Sequence, residues 1–221
     1  MSLTTETYRQ LLGLAVGVVL VCAVVALWRR SLRAIVRILA VQGVAVAAVA
    51  LLVGWQHEDP GDFVVAVLFV AIKVVAIPVV LLRIVRDAPD QRETEPVVNV
   101  ATTLLGAAAL TIVALTATRT LVGLHPSPEG TVVPAGFAVV LIAFFGLVVR
   151  RNAVAQIVGF LLLENGIALV ALLLSAGISL TVELAVALDL LLAVLVLQVL
   201  TSRMQAKYGA LELDHLNQLA D

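Results

Sequence analysis

Three ionisable residues stand near the middle of long apolar runs. Lys73 lies in FVVAVLFVAIKVVAIPVVLLR, Glu164 in AVAQIVGFLLLENGIALVALLL and Asp189 in VELAVALDLLLAVLVLQVL; Glu183 lies closer to the start of that last run. A charged side chain at the centre of a bilayer costs about 2.5–3.5 kcal/mol on insertion scales. Burial disfavours the charged form of a carboxylate or an ammonium group. Groups held in this way are suited to proton exchange near neutral pH. The chemistry expected of Glu164, Asp189, Lys73 and Glu183 is therefore a proton relay across neighbouring helices. A static ion pair gluing two helices, for instance Lys73 with Asp189, is the structural alternative.

Uncharged polar residues accompany these groups. Asn165 follows Glu164, Gln156 precedes it by two turns, and Gln42 sits mid-run in an earlier segment. Each is able to hold a water molecule or bond across a helix interface. Pro78, five residues beyond Lys73, removes a backbone donor and frees the carbonyl of Val74. Gly159 and Gly166 are expected to permit close packing, as is the GxxxG formed by Gly13 and Gly17.

The elements that must position these side chains follow from composition. The chain of 221 residues is 62% hydrophobic and 13% charged. Soluble domains are about half apolar and about a quarter charged, so the length is read as a count of membrane spans. Seven segments are long enough to cross about 30 Å of hydrocarbon: 8–28, 34–55, 62–83, 97–118, 132–149, 152–175 and 179–201. They are continuous and lack the alternation of barrel strands. The expected fold is an all-α integral membrane protein of seven helices. The opening MSLTTETYRQ lacks the basic start and cleavage site of a signal peptide, so the first segment is expected to stay as a helix.

Basic residues set the orientation. Arg29, Arg30, Arg33, Arg37, Arg83, Arg86, Arg92, Arg150, Arg151, Arg203 and Lys207 fall on one side of seven spans, and Arg9 and Arg119 on the other. The N-terminus is expected outside and the C-terminus in the cytoplasm. The segments WRRSLRAIVRILAVQGVAVAAVALL and VRRNAVAQIVGFLLLENGIALVALL are alike: each opens on paired arginines and carries a polar residue and a glycine near its middle. Lys73 and Asp189 then fall at the middle of the next spans. This pattern suggests a 3+1+3 repeat: a three-helix unit over 1–96, a linker helix and outer loop over 97–131, a second three-helix unit over 132–203, and a tail over 204–221.

Other chemistry has no support in the sequence. Cys22 is the single cysteine, so an intrachain disulfide or a cysteine-held cluster is excluded. His57, His125 and His215 match no metal spacing. No nucleophile motif, phosphate-cradling loop or basic nucleic-acid patch is present, and no catalytic residue, cofactor or metal is expected in this chain. The acidic loop DAPDQRETEP reads as solvated or as a docking strip. The tail AKYGALELDHLNQLAD carries spaced leucines suited to an amphipathic helix.

The stretch GLVVRRNAVAQIVGFLLLENGIALVALLLSAG, followed by VELAVALDLLLAVLVLQVL, resembles the E component of hydrogenase-4 and related formate hydrogenlyase complexes, and this resemblance covers most of the chain. Residues 132–203 also resemble NuoK, the three-helix subunit of complex I, and MrpC of multisubunit cation/proton antiporters. In NuoK-like proteins an RRN entry precedes a glycine and, two residues on, a membrane glutamate. Here Arg150, Arg151, Asn152 and Gly159 match, but Leu161 stands where that glutamate falls, and Glu164 follows one turn later. The second family glutamate aligns near Leu188, beside Asp189. The resemblance implies a subunit in the membrane arm of a redox complex, in a bacterial or archaeal plasma membrane. It would sit between quinone-site-like and antiporter-like subunits, with peripheral hydrogenase and iron–sulfur subunits outside the bilayer. It would assist proton or sodium movement and hold no cofactor itself. A subunit of a cation/proton antiporter without redox partners is the second reading.

Overall fold

The structure, a computed structural model, describes residues 4–57, 67, 73–75, 77–87, 99–124, 126–150 and 153–174, with the backbone alone given for 57, 84–87, 124, 153 and 154. These residues are almost entirely helical. The helices are α1 (Thr5–Trp28), α2 (Leu32–His57), α3 (Ile77–Asp87), α4 (Val100–Ala117), α5 (Arg119–Leu124), α6 (Pro128–Val149) and α7 (Ala153–Leu174). Five of them, α1, α2, α4, α6 and α7, are long and apolar enough to cross a membrane. Of the other expected spans, half of 62–83 and all of 179–201 lie outside the described residues.

Local sequence sets where these helices begin. Thr4 caps α1 through the N–H of Thr7, Asn99 caps α4 through Ala101, and Ser127 caps α6 through Gly130, with Pro128 in the first turn. Such oxygens satisfy amides that a helix start leaves without partners, and proline suits the first turn because its missing N–H is not needed there. The Ser-Pro-Glu start places the beginning of α6 at Pro128, four residues ahead of the expected span. Residues 119–124, expected as loop, form the short helix α5.

α1, α2, α7 and α6 close a four-membered ring, each packing on the next. α1 and α6 run in the same sense, because Tyr8 meets Glu129 at one end and Arg150 meets Ala26 and Arg29 at the other. α4 packs outside this ring on α6 and α1, and α3 packs on α2. The exposed Trp28 and Trp55 lie near opposite ends of the α1–α2 hairpin, as tryptophan does at the two membrane interfaces.

Small residues let the backbones approach. A Cβ at Gly166 would lie 3.1 Å from the backbone nitrogen of Val140, and one at Gly159 would lie 3.3 Å from Leu147 Cα. Both glycines thus serve the expected close packing of α7 on α6. The GxxxG expectation is not met: a Cβ at Gly13 or Gly17 would meet nothing within 4 Å. Both glycines are half-buried, and the fully buried contacts of α1 run through Tyr8, Leu12, Val16 and Val19.

The buried apolar residues fall into two clusters. On α2, Leu32, Ile35, Val36 and Leu39 belong to one, and Ala45, Val46, Val49 and Val53 to the other. On α7, Ala155, Val158, Leu161 and Leu162 belong to the first, and Leu169 and Leu173 to the second. The seam between the clusters falls at Gln42 on α2 and at Glu164 and Asn165 on α7.

Candidate functional site

A line of polar side chains occupies that seam. Lys73 enters from residues 73–75, which form a π-helical turn ahead of α3. Such turns break the regular backbone pattern and recur at functional sites. Pro78 follows, buried in the first turn of α3, where its missing donor is compatible with the irregular backbone before it. Gly43 admits this segment to α2: a Cβ there would lie 3.3 Å from Val74 Cγ2 and 3.6 Å from the Lys73 carbonyl oxygen.

The Lys73 Nζ atom lies 3.1 Å from Glu164 Oε1 and donates to Asn165 Oδ1 at 3.1 Å. Glu164 and Asn165 are consecutive on α7, so their side chains diverge by about 100° around the axis and receive the ammonium between them. Asn165 Nδ2 donates to Gln42 Oε1 at 3.1 Å, and Gln42 Nε2 donates to the carbonyl of Val19 at 3.3 Å. One polar line thus runs from α7 and the Lys73 segment through α2 to α1. Gln42, Lys73, Glu164 and Asn165 are 0, 5, 5 and 1% exposed. A carboxyl group and an amine at such depth are tolerated because they face each other and are hydrogen-bonded.

Of the residues expected to act together, Lys73, Glu164, Asn165 and Gln42 do meet. Gln156 does not join them. Its Nε2 donates to the carbonyl of Arg150 at 2.8 Å, a local bond that satisfies the turn before α7, in place of the expected link across helices. Two turns of α7 separate it from Glu164, about 12 Å. Asp189 and Glu183 lie outside the described residues. So does the acidic loop beyond Asp87, and so do the tail, Arg151, Asn152, His125 and His215. Among the described residues Lys73 forms an ion pair with Glu164; the static alternative with Asp189 lies outside them.

Two further buried polar contacts were not singled out from the sequence. The Tyr8 hydroxyl donates to Glu129 Oε1 at 2.5 Å, tying the starts of α1 and α6. The Ser-Pro-Glu helix start signals Glu129 as helical, but no local pattern reports that it is buried. Arg150, read as a surface charge, is 8% exposed and donates to the carbonyls of Ala26 and Arg29. Its guanidinium thereby satisfies the C-terminal end of α1, where carbonyls lack helical partners and cations are favoured. Among the described residues no group of three or more His, Cys, Asp or Glu is placed to hold a metal ion.

No family model matches the chain, and no solved structure matches it. The uncharacterized protein Rv0085 of Mycobacterium tuberculosis (strain ATCC 25618 / H37Rv) is 44% identical to it over 220 residues, spanning 99% of this chain and 100% of that protein. With that identity over the full length, the chain belongs to the same family as Rv0085.

Proposed function

We propose that this chain is a membrane-arm subunit of a complex I-related hydrogenase or formate hydrogenlyase-like assembly, in which Lys73 and Glu164 take part in proton or sodium translocation driven by redox chemistry in other subunits. The observation that carries the reading is the Lys73–Glu164 pair, 3.1 Å apart and buried between two apolar clusters. Small residues and hydroxyls are enough to pack membrane helices, and a buried ion pair is often no more stabilising than apolar packing of the same volume. A pair that packing does not require, held by neutral amides at mid-height, fits a role in charge movement. Asp189 and Glu183 would extend the relay, and partner subunits of quinone-site and antiporter type would continue it.

The same reading gives seven spans, an external N-terminus and a 3+1+3 repeat. The repeat is supported by positions 123 residues apart, the separation of Gln42 and Asn165. Thr4 and Ser127 are the caps of α1 and α6, and Gly43 and Gly166 follow the two amides. The buried positions Leu32, Ile35, Val36, Leu39, Val46 and Ala50 map by the same step onto the buried Ala155, Val158, Gly159, Leu162, Leu169 and Leu173. A repeat in one orientation relates its halves by an axis along the membrane normal, and equivalent residues such as Gln42 and Asn165 meet at such an axis.

The test is purification of the assembly around this chain, followed by Glu164→Gln in it. Co-purifying nickel–iron and iron–sulfur subunits are expected, and the variant is expected to keep redox turnover while losing ion translocation. Co-purification with antiporter-type subunits alone would point to the antiporter reading. Unchanged translocation in an assembled Glu164→Gln variant would leave the pair as a static tie.

A further inference from the structure

We propose that Gln42 and Asn165 are positioning residues for Lys73, forming a one-way line of amides that ends blind at α1 and lies off the route of the moving charge. The proposal rests on the reading of Lys73 and Glu164 as the groups that serve translocation. Its basis is the chemistry at the two ends of the line. At one end stands the Lys73 ammonium, which only donates; at the other stands the Val19 carbonyl, which only accepts. Between them are two carboxamides, each with one accepting oxygen and one donating NH2 group.

Only one arrangement of the two amides satisfies all three contacts. With Gln42 Nε2 on the Val19 oxygen, Gln42 Oε1 faces Asn165; Asn165 then turns its Nδ2 to Gln42 and its Oδ1 to Lys73. Reversing Asn165 alone sets NH2 against the ammonium and oxygen against oxygen. Reversing Gln42 alone sets NH2 against NH2 and oxygen against the Val19 carbonyl. Reversing both spoils the two end contacts. Each alternative breaks two of three contacts in a site closed to water, where an unmade hydrogen bond is expensive. The backbone of α1 thus dictates, through two side chains, that Lys73 meets an oxygen.

The line is unsuited to carrying protons. A carboxamide neither gains nor loses a proton in the physiological range, and no hydroxyl or titratable side chain interrupts the line. Its far end lies among Val16, Val19 and Ala23 in an apolar cluster. Asn165 hydrogen-bonds Lys73 directly, and Gln42 hydrogen-bonds Asn165.

A double-mutant cycle with a spectroscopic readout tests this. In the assembled complex, the ratio of ion translocation to redox turnover is measured for Gln42→Met, Asn165→Leu and the two combined. Loss of one oriented hydrogen bond is expected to lower the ratio about fivefold in Gln42→Met. The double variant is expected to match Asn165→Leu alone, because the hydrogen bonds that link Gln42 to Lys73 run through Asn165. Effects that multiply, or a Gln42→Met variant as inactive as Glu164→Gln, would overturn the proposal. The second readout does not depend on translocation. Lys73 and Lys207 are the only lysines, so a 15N-lysine-labelled full chain carrying Lys207→Arg, in lipid nanodiscs, gives a single side-chain nitrogen signal. That signal is expected to move in Gln42→Met, with Gln42→Leu as a second variant of the same kind. If it stays in place in both, the inference fails whatever the translocation assay shows. If it moves while Glu164→Gln leaves translocation intact, the amide line stands and the functional reading falls.

Discussion

Lys73 Nζ lies 3.1 Å from Glu164 Oε1, with both side chains almost wholly shielded from solvent. The two residues come from separate segments, the π-helical turn before α3 and the middle of α7. Removing one member of a buried pair strands the other charge and costs about 3–5 kcal/mol, whereas replacing both with apolar groups is often neutral. Lys73→Met is therefore expected to lower the amount of folded chain in membranes sharply. Adding Glu164→Leu to it is expected to restore most of that amount while leaving translocation absent. Quantitative blotting of the membrane fraction, with detergent unfolding of the purified chain, reads both effects. A double variant no more abundant than Lys73→Met would show that the pair contributes more than mutual compensation.

Glycine packing supplies a sharper contrast. A Cβ at Gly166 would meet Val139 Cγ1 at 3.0 Å and the Val140 backbone nitrogen at 3.1 Å, and one at Gly13 would meet nothing within 4 Å. Overpacking of this kind typically costs 1–3 kcal/mol, and backbone is less able to yield than a flexible side chain. Gly166→Ala is expected to lower the unfolding midpoint in detergent. Gly13→Ala is expected to leave it unchanged or raise it slightly, because alanine is the better helix former.

The Tyr8–Glu129 contact ties the starts of α1 and α6 at a buried position. Tyr8→Phe keeps the ring and deletes the donor. A lost hydrogen bond to a charged group is worth about 1.5–3 kcal/mol, so a drop of that order is expected in unfolding free energy. Translocation per assembled complex should be unaffected, since Val16 and Val19 and the rest of one apolar cluster separate this contact from the Lys73 site. A selective loss of translocation would instead place Tyr8 and Glu129 on the charge route.

Orientation is open to chemical labelling. In a Cys22→Ala background, cysteines at the exposed positions Arg30 and Arg119 report on opposite sides of the expected topology. A membrane-impermeant maleimide should label Arg119→Cys in intact cells and Arg30→Cys only after the membrane is opened. The reverse pattern would invert the topology drawn from the arginines.

The sequence by itself determined that the chain is helical and apolar enough for a membrane, because continuous runs of twenty apolar residues have few other stable forms. It also marked Lys73, Glu164, Asn165 and Gln42, because a polar residue inside such a run is expensive and therefore conspicuous. The helix starts at Thr4, Asn99 and Ser127 were not read from the sequence, whose apolar runs put the spans at 8, 97 and 132, although these capping oxygens act within three residues. Only the tertiary structure decided that Lys73 pairs with Glu164, that Gln156 bonds back to the Arg150 carbonyl, and that Gly13 and Gly17 make no close helix contact. It also decided that Arg150 closes the end of α1. Each of these depends on which faces of distant helices meet. Within one helix the period of 3.6 residues places side chains around the axis, but it carries no information about the neighbour those side chains will find.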